Sequence, residues 1–199
     1  MTTGGSMVFV WSPRFVINAL WLVWIVSWFG AALWAAPAVK RPTVGREVLY
    51  RTLAIAGWIL VFGFARGAGL GRVVWRPAGL GLWMLAGVVF AGLAFTWWAR
   101  LHLGRLWSSG VTRKADHHVV DTGPYGLVRH PIYTGVIAAM IATAAARGTT
   151  GAALGVALLI AGFVVKARLE ESFLRQELGA EAYDAYARRV PMLVPFLRG

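Results

Sequence analysis

Long apolar runs alternate with short basic stretches along this chain, and the length of the runs sets the expected fold. A helix of about 20 apolar residues crosses a hydrocarbon core about 30 Å thick. Five runs or near-runs approach that length: about Phe15–Trp34, about Val48–Ala65 with Arg51 near its start, about Pro77–Ala99, about Ile132–Ala146 and about Gly151–Val165. The last two are shorter than a comfortable span and read as a helix hairpin, of which one arm is a candidate re-entrant segment. From Lys166 to Val190, Leu169, Phe173, Leu174, Leu178 and Tyr186 recur at spacings of three and four with charged residues between them. That pattern predicts one amphipathic helix continuing the fifth run, stopped by Pro191 and Pro195. The expected fold is all-α and polytopic, with about five transmembrane helices. Residues 1–99 supply three spans; residues 100–199 supply a cytosolic segment, the hairpin and the terminal helix.

Charge orients the runs, because cytoplasmic connections hold the excess of Lys and Arg. Taken alternately, one set of connections holds Lys40, Arg41, Arg46 and Arg51, then Arg100, Arg105, Arg113, Lys114 and Arg129, then Lys166, Arg168, Arg175, Arg188, Arg189 and Arg198. These are 15 of the 20 basic residues. The other set holds Arg14, Arg66, Arg72, Arg76 and Arg147. The N-terminus is therefore expected outside and the C-terminus in the cytosol. All eight acidic residues and all four His fall on the same expected cytosolic side. Groups able to bind ligands or move protons are thus concentrated between Arg100 and Arg129 and beyond Val165, and chemistry is expected there.

Composition agrees with a membrane class, at 58% hydrophobic and 14% charged residues. The net charge of +12 would point to nucleic acid in a soluble protein. Here the basic residues alternate with apolar runs and form no single stripe, so membrane flanks explain them and no nucleic-acid partner is expected. The absence of Cys excludes disulfides, Cys-ligated zinc, thiol catalysis and S-palmitoylation. The single Asn, Asn18, precedes Ala19-Leu20 and makes no glycosylation acceptor. Ala36-Pro37-Ala38 follows the first run as a cleavage site would, but that run exceeds an h-region of about 7–15 residues, so a retained helix is expected. Richness in Ala, Gly, Arg and Trp fits a bacterial inner membrane.

Two patterns are set aside. Gly67-Ala68-Gly69-Leu70-Gly71 lies on the expected outer side without the strand that a dinucleotide fingerprint requires. Gly151 and Gly155 have the G-x-x-x-G spacing of close helix packing. The four His lie within 29 residues, yet His117 and His118 are adjacent and no H-E-x-x-H spacing occurs, so no metal is expected.

The informative block reads Leu103-Gly104-Arg105-Leu106-Trp107-Ser108, then His117-His118-Val119-Val120-Asp121-Thr122-Gly123-Pro124-Tyr125, then Arg129-His130-Pro131-Ile132-Tyr133-Thr134-Gly135. A second block holds Glu170-Glu171, Leu174, Leu178-Gly179, Tyr183 and Tyr186, followed by Val190 and Pro195. Together they resemble the isoprenylcysteine carboxyl methyltransferase family and its relatives among phospholipid N-methyltransferases. The family pattern is H-x-L-V-x-x-G-x-Y, then R-H-P-x-Y-x-G, then a Glu-Glu pair near the end of the last membrane helix. The likeness covers about Arg100 to Pro195. Lys166 departs from it, standing where family members often have Arg, and the first three runs match in hydrophobicity alone.

The resemblance implies S-adenosyl-L-methionine as cofactor and a lipophilic or lipidated acceptor reaching the site from membrane lipid. It assigns His117, Val119, Val120, Gly123, Tyr125, Arg129, His130, Tyr133, Glu170 and Glu171 to the cofactor pocket. Arg129, Arg168, Glu170 and Glu171 are the candidates for work on the acceptor. The residue chemistry agrees. Such a cofactor presents a carboxylate, an ammonium, ribose hydroxyls, an adenine and a sulfonium. Arg129 and His130 offer donors to a carboxylate, and Glu170 or Glu171 accepts from an ammonium or ribose. Tyr125 and Tyr133 offer ring faces to an adenine or sulfonium. Pro131 is expected at the first turn of the fourth helix, with His130 at its head where the dipole favours an anion. The residues alone also admit a membrane flank at Arg129-His130, a solvated face at Glu170-Glu171 paired with Lys166 or Arg175, and an interfacial belt of Tyr125, Tyr133, Tyr183 and Tyr186. Two other functions remain open at this point: a nicotinamide-dependent membrane reductase of isoprenoid or steroid type, and a non-catalytic lipid-binding protein.

Overall fold

The computed structural model describes residues 11–32, 44–64, 67–104 and 120–197. Over these the regular elements are all helices: α1 Pro13–Ala32, α2 Val44–Val61, α3 Leu80–Leu103, the short α4 Pro124–Leu127, α5 Pro131–Arg147, α6 Thr150–Leu178 and α7 Ala180–Arg189. Each of the five apolar runs has become a helix. Three helices, α1, α3 and α6, are long and apolar enough to cross a membrane. The outward faces of the bundle stay apolar, with Val26, Phe29, Phe90 and Ile141 exposed. A surface of this kind suits lipid and not water.

The helices run alternately up and down between two ends. α2 packs chiefly on α6, α3 on α5 and α1 on α3. Glycine decides where two of these pairs touch. A Cβ on Gly57 would stand 2.7 Å from the Gly155 carbonyl oxygen, and one on Gly155 would stand 2.7 Å from that of Gly57. Gly92 and Gly135 face each other in the same way across α3 and α5. Backbones in contact maximise dispersion where no hydrophobic gradient drives association. Gly151 behaves differently: its missing Cβ leaves room for the Leu70 carbonyl, so only Gly155 of the G-x-x-x-G pair packs on a helix. The core around Trp21, Val61, Val89, Met140 and Leu159 is almost fully buried. Two polar bonds cross it, from the Trp21 indole to the Thr143 hydroxyl at 2.9 Å and from the Trp24 indole to that of Thr96 at 2.7 Å.

One expectation is corrected. Lys166–Val190 is not a single helix, because α6 ends at Leu178 and α7 begins at Ala180. Gly179 between them has φ 93° and ψ 130°, a backbone state that glycine adopts without the Cβ penalty. The break turns α7 back, and Tyr183, Tyr186 and Val190 form a small core with Leu174. In the other direction α6 is longer than its apolar run. Its 29 residues extend about 43 Å, so the polar stretch bearing Glu170 and Glu171 is one rigid piece with the apolar stretch.

Candidate functional site

Four elements meet at the end of the bundle where α5 begins. Pro131 takes the first turn of α5 and His130 is its N-cap, as the missing proline N–H leads one to expect. Just before it, the chain pairs with the segment after α7. The Arg129 N–H donates to the Pro191 carbonyl at 2.8 Å, the His130 N–H to that of Met192 at 3.1 Å, and the Thr134 hydroxyl to that of Leu193 at 2.6 Å. The Tyr186 hydroxyl donates to the Tyr125 carbonyl at 2.8 Å. These bonds fix the chain end against Arg129-His130, and α6 supplies the carboxylates.

Arg129 forms a two-pronged pair with Glu171, Nε to Oε1 at 2.7 Å and Nη2 to Oε2 at 3.2 Å. Its Nη1 donates to the carbonyls of Val190 at 2.6 Å and Ala187 at 3.0 Å. Most of the guanidinium fork is therefore committed to the protein, which makes Arg129 a clamp between α5, α6 and the tail. His130 lies between the two carboxylates, with Nε2 3.1 Å from Glu171 Oε1 and Nδ1 3.5 Å from Glu170 Oε2. The Tyr133 hydroxyl reaches both oxygens of Glu170, at 2.6 and 2.7 Å. Lys166 Nζ stands 3.9 Å from Glu170 Oε1 and 5.1 Å from the centre of the Tyr133 ring. The rings of His130, Tyr133 and Phe163 stack in sequence, 5.3 and 4.8 Å between centres.

Burial opposes a charge on His130, but the hydrogen bonds and fields of Glu170 and Glu171 outweigh it and raise its pKa above the ordinary value. Burial likewise opposes charge on Arg129, and Glu171 more than restores it. Burial raises the Tyr125 phenol well above its usual value, so this group stays protonated.

A second small cluster adjoins α4. The missing side chain of Gly123, at φ 56°, leaves room for the His102 ring, which a Cβ would approach to 2.7 Å. His102 Nε2 is 2.9 Å from the Thr122 hydroxyl, and its ring stacks on Tyr125 at 6.4 Å. Beside the carboxylates, a groove of about 450 Å³ runs between α2 and α6. Tyr50, Arg51 and Lys166 line its polar head; Ile55, Trp58 and Phe163 line its apolar length.

Of the sequence candidates, Arg129, His130, Tyr133, Glu170 and Glu171 are in direct contact, while Gly123 and Tyr125 belong to the His102 cluster, which the Tyr186 hydroxyl ties to α7. Val120 leads into α4 and Arg168 is exposed on α6; no described contact joins Arg168 to the carboxylates. His117 and Val119 lie outside the described residues. Among those described, no group of three or more His, Cys, Asp or Glu is placed to hold a metal ion. His102, Thr122, Tyr50 and Phe163 were not candidates. His102 carried a signal as one of four clustered histidines, and Thr122 by standing within the first motif block.

The profile of the isoprenylcysteine carboxyl methyltransferase (ICMT) family matches residues 84–176. Methanethiol S-methyltransferase 2 of Bradyrhizobium diazoefficiens is 31% identical over 82% of this chain and 67% of its own length. The chain belongs to the ICMT family. Protein-S-isoprenylcysteine O-methyltransferase B of Arabidopsis thaliana is also 31% identical, over 55% of this chain, and the chain spans about half of that plant enzyme, 51%. The solved eukaryotic intramembrane Ras methyltransferase ICMT superposes with a TM-score of 0.60 at 20% identity, over 96% of this chain and 70% of that one, which establishes a shared fold. The ICMT match runs from within α3 to near the end of α6, so it takes in Arg129, His130, Tyr133, Glu170 and Glu171.

Proposed function

We propose that this ICMT-family methyltransferase uses S-adenosyl-L-methionine to methylate a lipophilic acceptor that enters from the bilayer. The observation that carries the reading is the joining of two surfaces. The Glu170–Tyr133–His130 cluster meets the head of the α2–α6 groove at Lys166 and Phe163. One surface suits a charged nucleoside, and the other suits a hydrocarbon chain. The donor set fits the cofactor, with the remaining carboxylate lone pairs of Glu170 and Glu171 for its ammonium and ribose and the Tyr125 and His102 rings for its flat parts. When bound, the cofactor would supply a methyl group activated by a cationic sulfur, to be taken by an acceptor lone pair with the neutral thioether as the leaving group.

The chain's own contribution is positioning, which lowers the entropic part of the barrier. Tyr133 and His130 hold Glu170 in one rotamer. Arg129 fixes Glu171 and ties down the segment after α7. Lys166, at the groove head, orients an acidic acceptor such as the carboxylate of a prenylated cysteine. For an amine acceptor, Glu170 or Glu171 takes the proton. Val120 and Gly123, with His117 and Val119, belong to the cofactor side in this reading, and Arg168 stays at the cytosolic edge. The five long helices are read as five spans, with the N-terminus outside and the site in the cytosol of a bacterial inner membrane. Residues 1–99 form the lipid-facing part and residues 100–199 the cofactor-binding half.

The test is cofactor binding and transfer of a radiolabelled methyl group to membrane extract in detergent. Glu170→Gln is expected to weaken binding more than tenfold with the melting temperature retained. Absence of both binding and transfer in the wild type would refute the proposal.

A further inference from the structure

The opposite end of the bundle holds a second cavity, of about 540 Å³. It forms where the start of α1, the end of α2, the 67–79 connection and the α5–α6 turn meet. Arg14, Arg76 and Arg147 line it, with apolar walls from Leu60, Leu70 and Val73. The sequence has no Asp or Glu before Glu47, none between Glu47 and Asp116, and none between Asp121 and Glu170. No segment lining this cavity therefore contains a carboxylate. Arginine here also runs against the usual charge bias if this end faces outward.

The walls are fixed. Val73 bridges to Thr149. The Val74 N–H donates to the Gly148 carbonyl at 2.7 Å, the Gly151 N–H to that of Leu70 at 2.9 Å, and the Trp75 indole to that of Ala145 at 2.7 Å. Arg147 is half-buried, its guanidinium 5.4 Å from the centre of the Phe62 ring. Trp11, Phe15, Phe64 and Trp75 are exposed near this end, as aromatic residues at a membrane interface are.

From these observations we infer that this cavity binds the phosphate of an anionic phospholipid in the leaflet opposite the methyl-transfer site. Guanidinium forks match phosphate oxygens in pairs. Walls braced before binding spare much of the ordering cost. The apolar lining and the aromatic residues at the rim favour a lipid headgroup, with its acyl chains beside α1 and α2, over a free anion. Anion binding here rests on the residues of this cavity alone; only its placement opposite a methyl-transfer site rests on the proposed function.

The test is thermal melting of the full chain in nonionic detergent with phosphatidylglycerol, phosphatidylcholine or inorganic phosphate added. Phosphatidylglycerol is expected to raise the melting temperature by about 5 °C near saturation, and the other two by much less. Arg14 and Arg76 are exposed, so the R14Q/R76Q double variant should melt like the wild type without lipid. It should need at least tenfold more phosphatidylglycerol for the same shift, with cofactor binding at the other end unchanged. An equal lipid response in wild type and variant would overturn the assignment. So would a shift from inorganic phosphate or phosphatidylcholine matching that from phosphatidylglycerol.

Discussion

At one end of the bundle Glu170 and Glu171 meet Arg129, His130, Lys166 and the Tyr133 hydroxyl within 3.9 Å; at the other, Arg14, Arg76 and Arg147 share a cavity lined by no carboxylate. The first arrangement is internally balanced. Its charges are mostly buried and hold one another, so a ligand meets groups already oriented. The second concentrates one sign of charge behind braced backbone and suits a ligand of the opposite sign. Charge near a membrane surface thus serves two ends here, geometry in one place and attraction in the other.

The largest effect expected from breaking this contrast is at Glu171. Its pair with Arg129 is mostly shielded, at 13% and 18% side-chain exposure, so Glu171→Ala leaves a mostly shielded guanidinium without its anion and His130 with Glu170 alone. A loss of about 3–5 kcal/mol is expected in detergent melting. At the other end, Gly148 occupies the left-handed region at φ 65° and its missing Cβ makes way for the Trp75 carbonyl. Gly148→Ala is expected to cost about 2–3 kcal/mol while leaving cofactor affinity unchanged. A matching loss of affinity would mean the two ends are coupled.

A smaller effect is expected from pH. Because His130 has a raised pKa in the folded protein, its contribution is fully present below the unfolded value of about 6.5. It is lost as pH rises through the higher folded value. Stability should therefore fall with rising pH across that window, and His130→Gln should flatten the slope; an unchanged slope in the variant would reassign it. The smallest effect is expected at Arg175, which pairs with Asp184 at 2.8 Å on an exposed surface. Arg175→Ala should leave melting unchanged, since water and salt screen such a pair.

Much of the candidate site was legible because helical spacing and proline grammar are local. Pro131 opens α5 with His130 as its cap, as the order of the residues demands. Glu170 and Glu171 follow the last apolar run at the distance that carries them beyond it. What was not legible depended on distant partners. Arg129 reads as a free donor for a ligand, yet it is mostly occupied by Glu171 and by carbonyls about 60 residues away. Arg175 was a candidate partner for the Glu pair and instead bonds Asp184 after the turn at Gly179. That turn was missed because the apolar spacing continues through it, whereas a glycine conformation leaves no periodic trace. The pairing of His102 with Thr122 joins residues 20 apart across a segment with no repeating pattern.

The sequence by itself determined that the chain is helical and apolar over five runs, that its charges divide unevenly between two sets of connections, and that its motifs are those of the ICMT family. Hydrophobic period, proline and charge bias act within one helical turn or one connection, so they need no fold to be read. Only the tertiary structure decided which charges neutralise one another and which collect around a cavity lined by no carboxylate. Those outcomes depend on which helices touch, and Gly57, Gly92, Gly135 and Gly155 fix that by letting backbones meet in space that any side chain would fill.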